Sequence, residues 1–92
     1  MIEKRVFGDL YQEGLEIVER NRQYFVRYDA GAHQVAWRED EITFEEFSLL
    51  KINQSFEHQI ILALQKRLQL QGVNPYESNW EPGNNFNKTN EN

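Results

Sequence analysis

Cysteine is absent from the 92 residues, which excludes disulfides, thiolate catalysis and cysteine-ligated zinc. Apolar runs are short, and none approaches the roughly 20 residues that a membrane-spanning helix needs. The opening MIEKRVFGD lacks the apolar core of a signal peptide. Together these features set the expectation of a cytoplasmic protein with no membrane role. The five glycines stand singly at positions 8, 14, 31, 72 and 83, so no glycine-rich loop is present to cradle a phosphate. Basic residues are also few: ten against fifteen acids, a formal net charge of −5. They are scattered rather than gathered into the patch or stripe by which proteins neutralise phosphates, which argues against direct nucleic-acid binding. An acidic surface suits a basic protein partner better.

Catalytic equipment is sparse as well. Ser48, Ser55, Ser78, Thr43 and Thr89 lie in no recognisable nucleophile context. The only imidazoles, His33 and His58, lack further ligands at a metal-binding spacing. The expectation is a non-enzyme with no metal and no cofactor.

What the chain does contain is enough for one small core, since 39% of residues are hydrophobic and 13% aromatic. The organising stretch is QYFVRYDAGAHQVAWREDEITFEE, residues 23–46. Residues 23–28 and 33–38 have the aromatic and β-branched composition of half-buried strands. Asp29-Ala30-Gly31-Ala32 reads as the turn between them. A four-residue loop sets Tyr28 opposite His33, Val26 opposite Val35 and Tyr24 opposite Trp37, and makes Trp37 a core anchor. Upstream, two readings of residues 6–19 stay open. Phe7, Leu10, Tyr11, Leu15 and Val18 fall near helical spacing, whereas a strand over residues 15–19, turning at Arg20-Asn21-Arg22, would complete a three-stranded meander. The meander is preferred, because a lone hairpin is marginal in water.

Downstream, Thr43 followed by Glu46 is a capping-box pattern, with Ile42 set to staple against Phe47. It predicts a helix over residues 44–52 with Phe44, Phe47 and Leu50 inward. Asn53 or Ser55 then caps a second helix to about residue 70, whose apolar stripe is Phe56, Ile60, Ile61, Leu64 and Leu68. Gly72 and Pro75 mark its stop. Leu62 and Leu70 lie off the stripe and offer a second buried side, as in a homodimer. The predicted fold is therefore α+β: an antiparallel hairpin or three-stranded meander followed by two helices, forming one domain over residues 1–73. Residues 74–92 hold seven asparagines and two prolines without periodicity, and read as a partly disordered tail, mobile beyond Pro82.

Residues 39–46 hold five of the fifteen acids. Glu45 and Glu46 suit a helix N-terminus. Glu39, Asp40 and Glu41 in succession repel one another, a cost that a basic partner would relieve. With Trp80 as an apolar anchor, Glu39, Asp40, Glu41 and Glu45 form the candidate partner-binding set. Size and charge are those of a small acidic inhibitor, such as an immunity protein that occludes a toxin nuclease. Two alternatives remain: a homodimeric regulatory or accessory subunit, and a small-ligand module or minor enzyme in which Arg27, His33 and Arg38 clamp an anion.

Overall fold

The computed structural model describes residues 2–82. Four strands, β1 (Lys4–Asp9), β2 (Leu15–Arg20), β3 (Gln23–Asp29) and β4 (Trp37–Ile42), pair in sequence order as an antiparallel meander. A single helical turn, α1 (Leu10–Glu13), lies between β1 and β2, and α2 (Phe44–Ile52) and α3 (Glu57–Leu70) follow the sheet. The fold is α+β, with one strand more than the preferred meander.

Both rival readings of the N-terminal stretch capture part of it. Asp9 accepts hydrogen bonds from the backbone N–H groups of Tyr11 and Gln12 and so starts α1, and the turn closes when Gly14 N–H donates to the Leu10 carbonyl. One turn satisfies these groups, and the chain then reverses into β2. Gly8 in β1 sits at φ +73°, where a Cβ would meet the Leu15 carbonyl oxygen at 2.4 Å. Close approach of β1 to β2 thus depends on the missing side chain. The β2–β3 connection is a two-residue turn with Asn21 at φ 51° and Arg22 at φ 65°, the left-handed pair that matches strand twist.

The β3–β4 register differs from the four-residue-loop expectation. Tyr28 pairs with Arg38, Val26 with Asp40 and Tyr24 with Ile42, and residues 30–36 form a longer connection. Asp29 organises it: one carboxylate oxygen accepts from the N–H groups of Gly31 and Ala36, each at 2.9 Å. Gly31 packs so tightly that a Cβ there would fall 1.6 Å from the Gln34 carbonyl oxygen. His33 and Val35 are consequently exposed in the loop, and Trp37 is half-buried at the start of β4 instead of anchoring the core. The physical reason is non-local. This register carries Ile42 into the core and sets Arg27 beside Glu39, both of which the shorter loop forgoes.

The core lies between one sheet face and the two long helices. Leu15, Ile17, Val26, Tyr28 and Ile42 meet Phe47, Leu50, Ile60 and Leu64 there. Helix α2 spans the expected residues and its capping box is complete: Thr43 Oγ1 accepts from Glu46 N–H at 3.0 Å, while Glu46 Oε1 accepts from Thr43 N–H at 2.9 Å. Phe47 and Leu50 point inward, but Phe44 is exposed and lies tilted beside the Tyr24–Phe47 stack, its ring centre 5.9 Å from that of Tyr24. Helix α3 buries Ile60 and Leu64, with Phe56, Ile61 and Leu68 packed against the core. Leu62 and Leu70 face out. The helix ends when Gly72 N–H bonds the Gln69 carbonyl and Val73 N–H the Leu68 carbonyl, a paired closure of the last turn.

Candidate functional site

Alternation along the strands sorts the charged residues onto two faces. On the face away from the helices, Glu16, Arg27 and Glu39 lie side by side across β2, β3 and β4. The Arg27 guanidinium reaches Glu16 at 3.1 Å, Glu39 at 2.8 Å and Glu3 at 2.9 Å. Arg20 grips both oxygens of Glu39, at 2.7 and 2.9 Å, and touches Glu3 at 2.9 Å. Aromatic rings cover both arginines: Phe25 lies 4.1 Å from Arg20 and Trp80 4.4 Å from Arg27.

On the helix-side face, Arg38 and Asp40 form a buried two-bonded pair, Nε to Oδ2 and Nη2 to Oδ1, both 2.8 Å. Tyr28 donates its hydroxyl to the same carboxylate at 3.0 Å. The remaining Arg38 nitrogen, Nη1, donates to the backbone carbonyls of Asn74 and Glu77. This arginine therefore ties the chain after α3 to the sheet. Asn79 continues the attachment along the open edge of β4. Its N–H donates to the Trp37 carbonyl at 3.1 Å, its Oδ1 accepts from Glu39 N–H at 2.8 Å, and its Nδ2 donates to the Glu39 carbonyl at 3.1 Å. A single asparagine thus supplies what a fifth strand would offer there. The chain then crosses to the outer face, where Trp80 meets Arg27 and the Tyr11 hydroxyl donates to the Pro82 carbonyl at 3.3 Å. Residues 74–82 are part of the folded body; the expected mobility beyond Pro82 falls outside the described residues.

The structure distributes the candidate partner-binding residues unevenly. Glu39 is enclosed by Arg20 and Arg27, Asp40 is buried against Arg38, and Trp80 docks on its own domain. Glu41 and Glu45 are exposed, with Glu41 accepting a hydrogen bond from Gln23. The run of three acids does not form one acidic surface, because successive strand residues point to opposite faces. The charges of Glu39 and Asp40 are met from within the chain. For the same reason Arg27 and Arg38 lie on opposite faces, and His33 sits apart in the loop, so the candidate anion clamp is not assembled.

Burial would raise the Glu39 carboxyl, but hydrogen bonds from Arg20 and Arg27 outweigh it and hold the group below the usual carboxylate range. Burial acts likewise on Glu46, where hydrogen bonds from Arg67 prevail, supported by the Thr43 backbone. A carboxyl lowered in the folded state adds stability above its unfolded pKa, about 4.3 for glutamate, and loses it as pH falls through the folded value. Thermal melts from neutral to acid pH are expected to decline below roughly pH 4. Glu39→Gln should flatten that decline, and an unchanged acid limb in the variant would refute the assignment. Tyr28 shifts the other way: burial first, then Asp40, raises its hydroxyl well above the usual range. The Arg38 guanidinium is raised by its hydrogen bonds to Asp40.

Shallow grooves mark the surface. One of about 330 Å³ runs between the end of β4 and α3, lined by Ile42, Thr43, Leu64, Arg67 and Leu68 among others. Two more flank Tyr76. The first, about 420 Å³, is lined by Leu62, Ala63, Gln65, Lys66 and Gln69 of α3. The second, about 370 Å³, is lined by residues of the β3–β4 loop together with Glu77 and Ser78. No group of histidines, aspartates or glutamates among the described residues is arranged to hold a metal ion, and none of their helices is long and apolar enough to cross a membrane. Compared with family models, curated proteins and solved structures, the chain matches none.

Proposed function

We propose that this chain is a non-catalytic, cytoplasmic binding module that recognises a basic protein surface, in the manner of a small inhibitor of the immunity-protein type. The carrying observation is where its arginines go. Arg5, Arg20, Arg27, Arg38 and Arg67 are all ion-paired within the chain. Among the described residues, the basic side chains outside such pairs are Lys4, Arg22, Lys51 and Lys66. Against them stand the unpaired carboxylates of Glu13, Glu19, Asp29, Glu41, Glu45, Glu57, Glu77 and Glu81. Tying five of the six arginines into ion pairs leaves an excess of unpaired carboxylate, the arrangement that speeds encounter with a positive partner.

The titration behaviour favours binding over catalysis. Glu39 and Glu46 are held more firmly ionised, and Tyr28 more firmly neutral, so none is poised near neutral pH for proton transfer. Within the original acidic set, Glu41 and Glu45 are the residues open to a partner, and contact runs through them. A native pull-down at low and high salt, repeated with Glu41→Lys/Glu45→Lys, tests this. The wild type should retain a basic protein at low salt and release it at high salt, and the double variant should bind about tenfold more weakly. A partner retained equally by both proteins at every salt concentration would overturn the reading.

A further inference from the structure

Tyr76 combines rigid mounting with exposure. Arg38 holds the carbonyls of Asn74 and Glu77 on either side of it, and its own N–H donates to Asn74 Oδ1 at 3.0 Å. Yet its side chain remains 54% exposed, between Leu62 at 52% on one side and Val35 at 63% on the other. A large side chain on a backbone already fixed before binding orders less of the chain when it docks, as the anchor of an interface requires.

The charges around Tyr76 say what would cover it. Lys66 is the charged residue lining the groove on the α3 side, and Glu77 the one lining the loop side. Neither is ion-paired among the described residues. The patch is therefore locally neutral on a chain of net charge −5, and carries one charge of each sign on opposite sides of a protruding ring. A two-fold rotation about an axis near Tyr76 exchanges the two sides. We propose that this face is a self-complementary dimer interface: each copy sets its Tyr76 into a groove of the other, and Lys66 of each meets Glu77 of the other. A second copy fits better than an acidic or basic partner, because either would face one matched and one repelled charge. The inference is independent of the acidic-surface reading, since Glu41 and Glu45 line neither groove.

Sedimentation equilibrium of the full chain over a concentration series, from low micromolar to near-millimolar, tests it. The wild-type mass should rise from one chain to two. Tyr76→Asp should weaken association at least about tenfold. Lys66→Glu and Glu77→Lys should each weaken it, and the charge-swapped Lys66→Glu/Glu77→Lys protein should regain the wild-type affinity. The four variants alter only three residues, all exposed, and circular dichroism melts verify that each is folded. A wild-type mass that stays at one chain overturns the proposal. So does a dimer indifferent to Tyr76→Asp, or a double variant no better than the singles.

Discussion

Replacing Arg38 with alanine is expected to cost about 3–5 kcal/mol, the penalty for stranding one member of a buried ion pair. Arg38 is 3% exposed and Asp40 8%. Without the guanidinium, the Asp40 carboxylate keeps Tyr28 and Asn79 as hydrogen-bond donors, the Glu77 carbonyl loses its Arg38 donor, and the Asn74 carbonyl keeps the Glu77 N–H at 3.4 Å. A domain of this size is stable by roughly 5–15 kcal/mol, so the loss removes a large share of the total. Urea unfolding measures it directly. Hydrogen exchange then reports the local consequence: the Glu39 amide, held by Asn79 Oδ1, should lose protection as residues 74–82 detach. Arg38→Met with Asp40→Leu should recover much of the stability, because an apolar pair leaves no buried charge unmatched. Alanine at position 38 costing less than about 1 kcal/mol would place the pair among weak surface bridges and remove the tether from this account.

The second large effect belongs to Leu64. Its side chain is 1% exposed and joins α3 to the sheet within the central cluster. Leu64→Ala deletes buried methyl groups and leaves a cavity, for an expected loss of about 2–5 kcal/mol. Leu62, two residues away and half exposed, should lose within about 1 kcal/mol on the same substitution. At roughly 4–8 °C of melting temperature per kcal/mol for a domain of this length, thermal scans separate the two variants clearly. Equal losses would mean that α3 buries a different face.

That contrast was legible in the sequence, because helix signals are local. Thr43 and Glu46 lie one turn apart, and the stripe through Ile60, Ile61, Leu64 and Leu68 repeats every three to four residues. Helix α2 consequently falls where its cap and periodicity put it. Helix α3 ends where expected but starts at Glu57 without a side-chain cap, because Asn53 caps a short 3-10 turn, Gln54–Phe56, that precedes it. The strands were less legible. β1 carries Lys4, Arg5 and Asp9, and its alternation is broken by a register shift between Arg5 and Phe7, so no period-two pattern marks it. The β3–β4 register differs from the four-residue-loop expectation because local composition and turn signals mark residues 33–38 as a strand, whereas the pairing is set by contacts distant in sequence. A usable signal was present: Arg38, Asp40 and Ile42 share one strand face, and Glu39 falls opposite Arg27 when Ile42 is drawn into the core.

The same distinction governs the candidate site. Sequence order made Glu39, Asp40 and Glu41 look like a single acidic block, because adjacency along the chain is all that a linear reading measures. Strand pleating parts them, and Arg20, Arg27 and Arg38 arrive from elsewhere to meet two of the three. Residues 74–82 likewise carry no periodicity, since their place is set by one arginine, one asparagine and one tryptophan reaching across the fold.

The sequence by itself determined the class of object: a small acidic α+β domain without cysteine, whose two helices are specified by residues three and four positions apart. Tertiary structure alone decided which charges remain outside. Ion pairing depends on side chains brought together across strands, and those distances exist only once the sheet has formed.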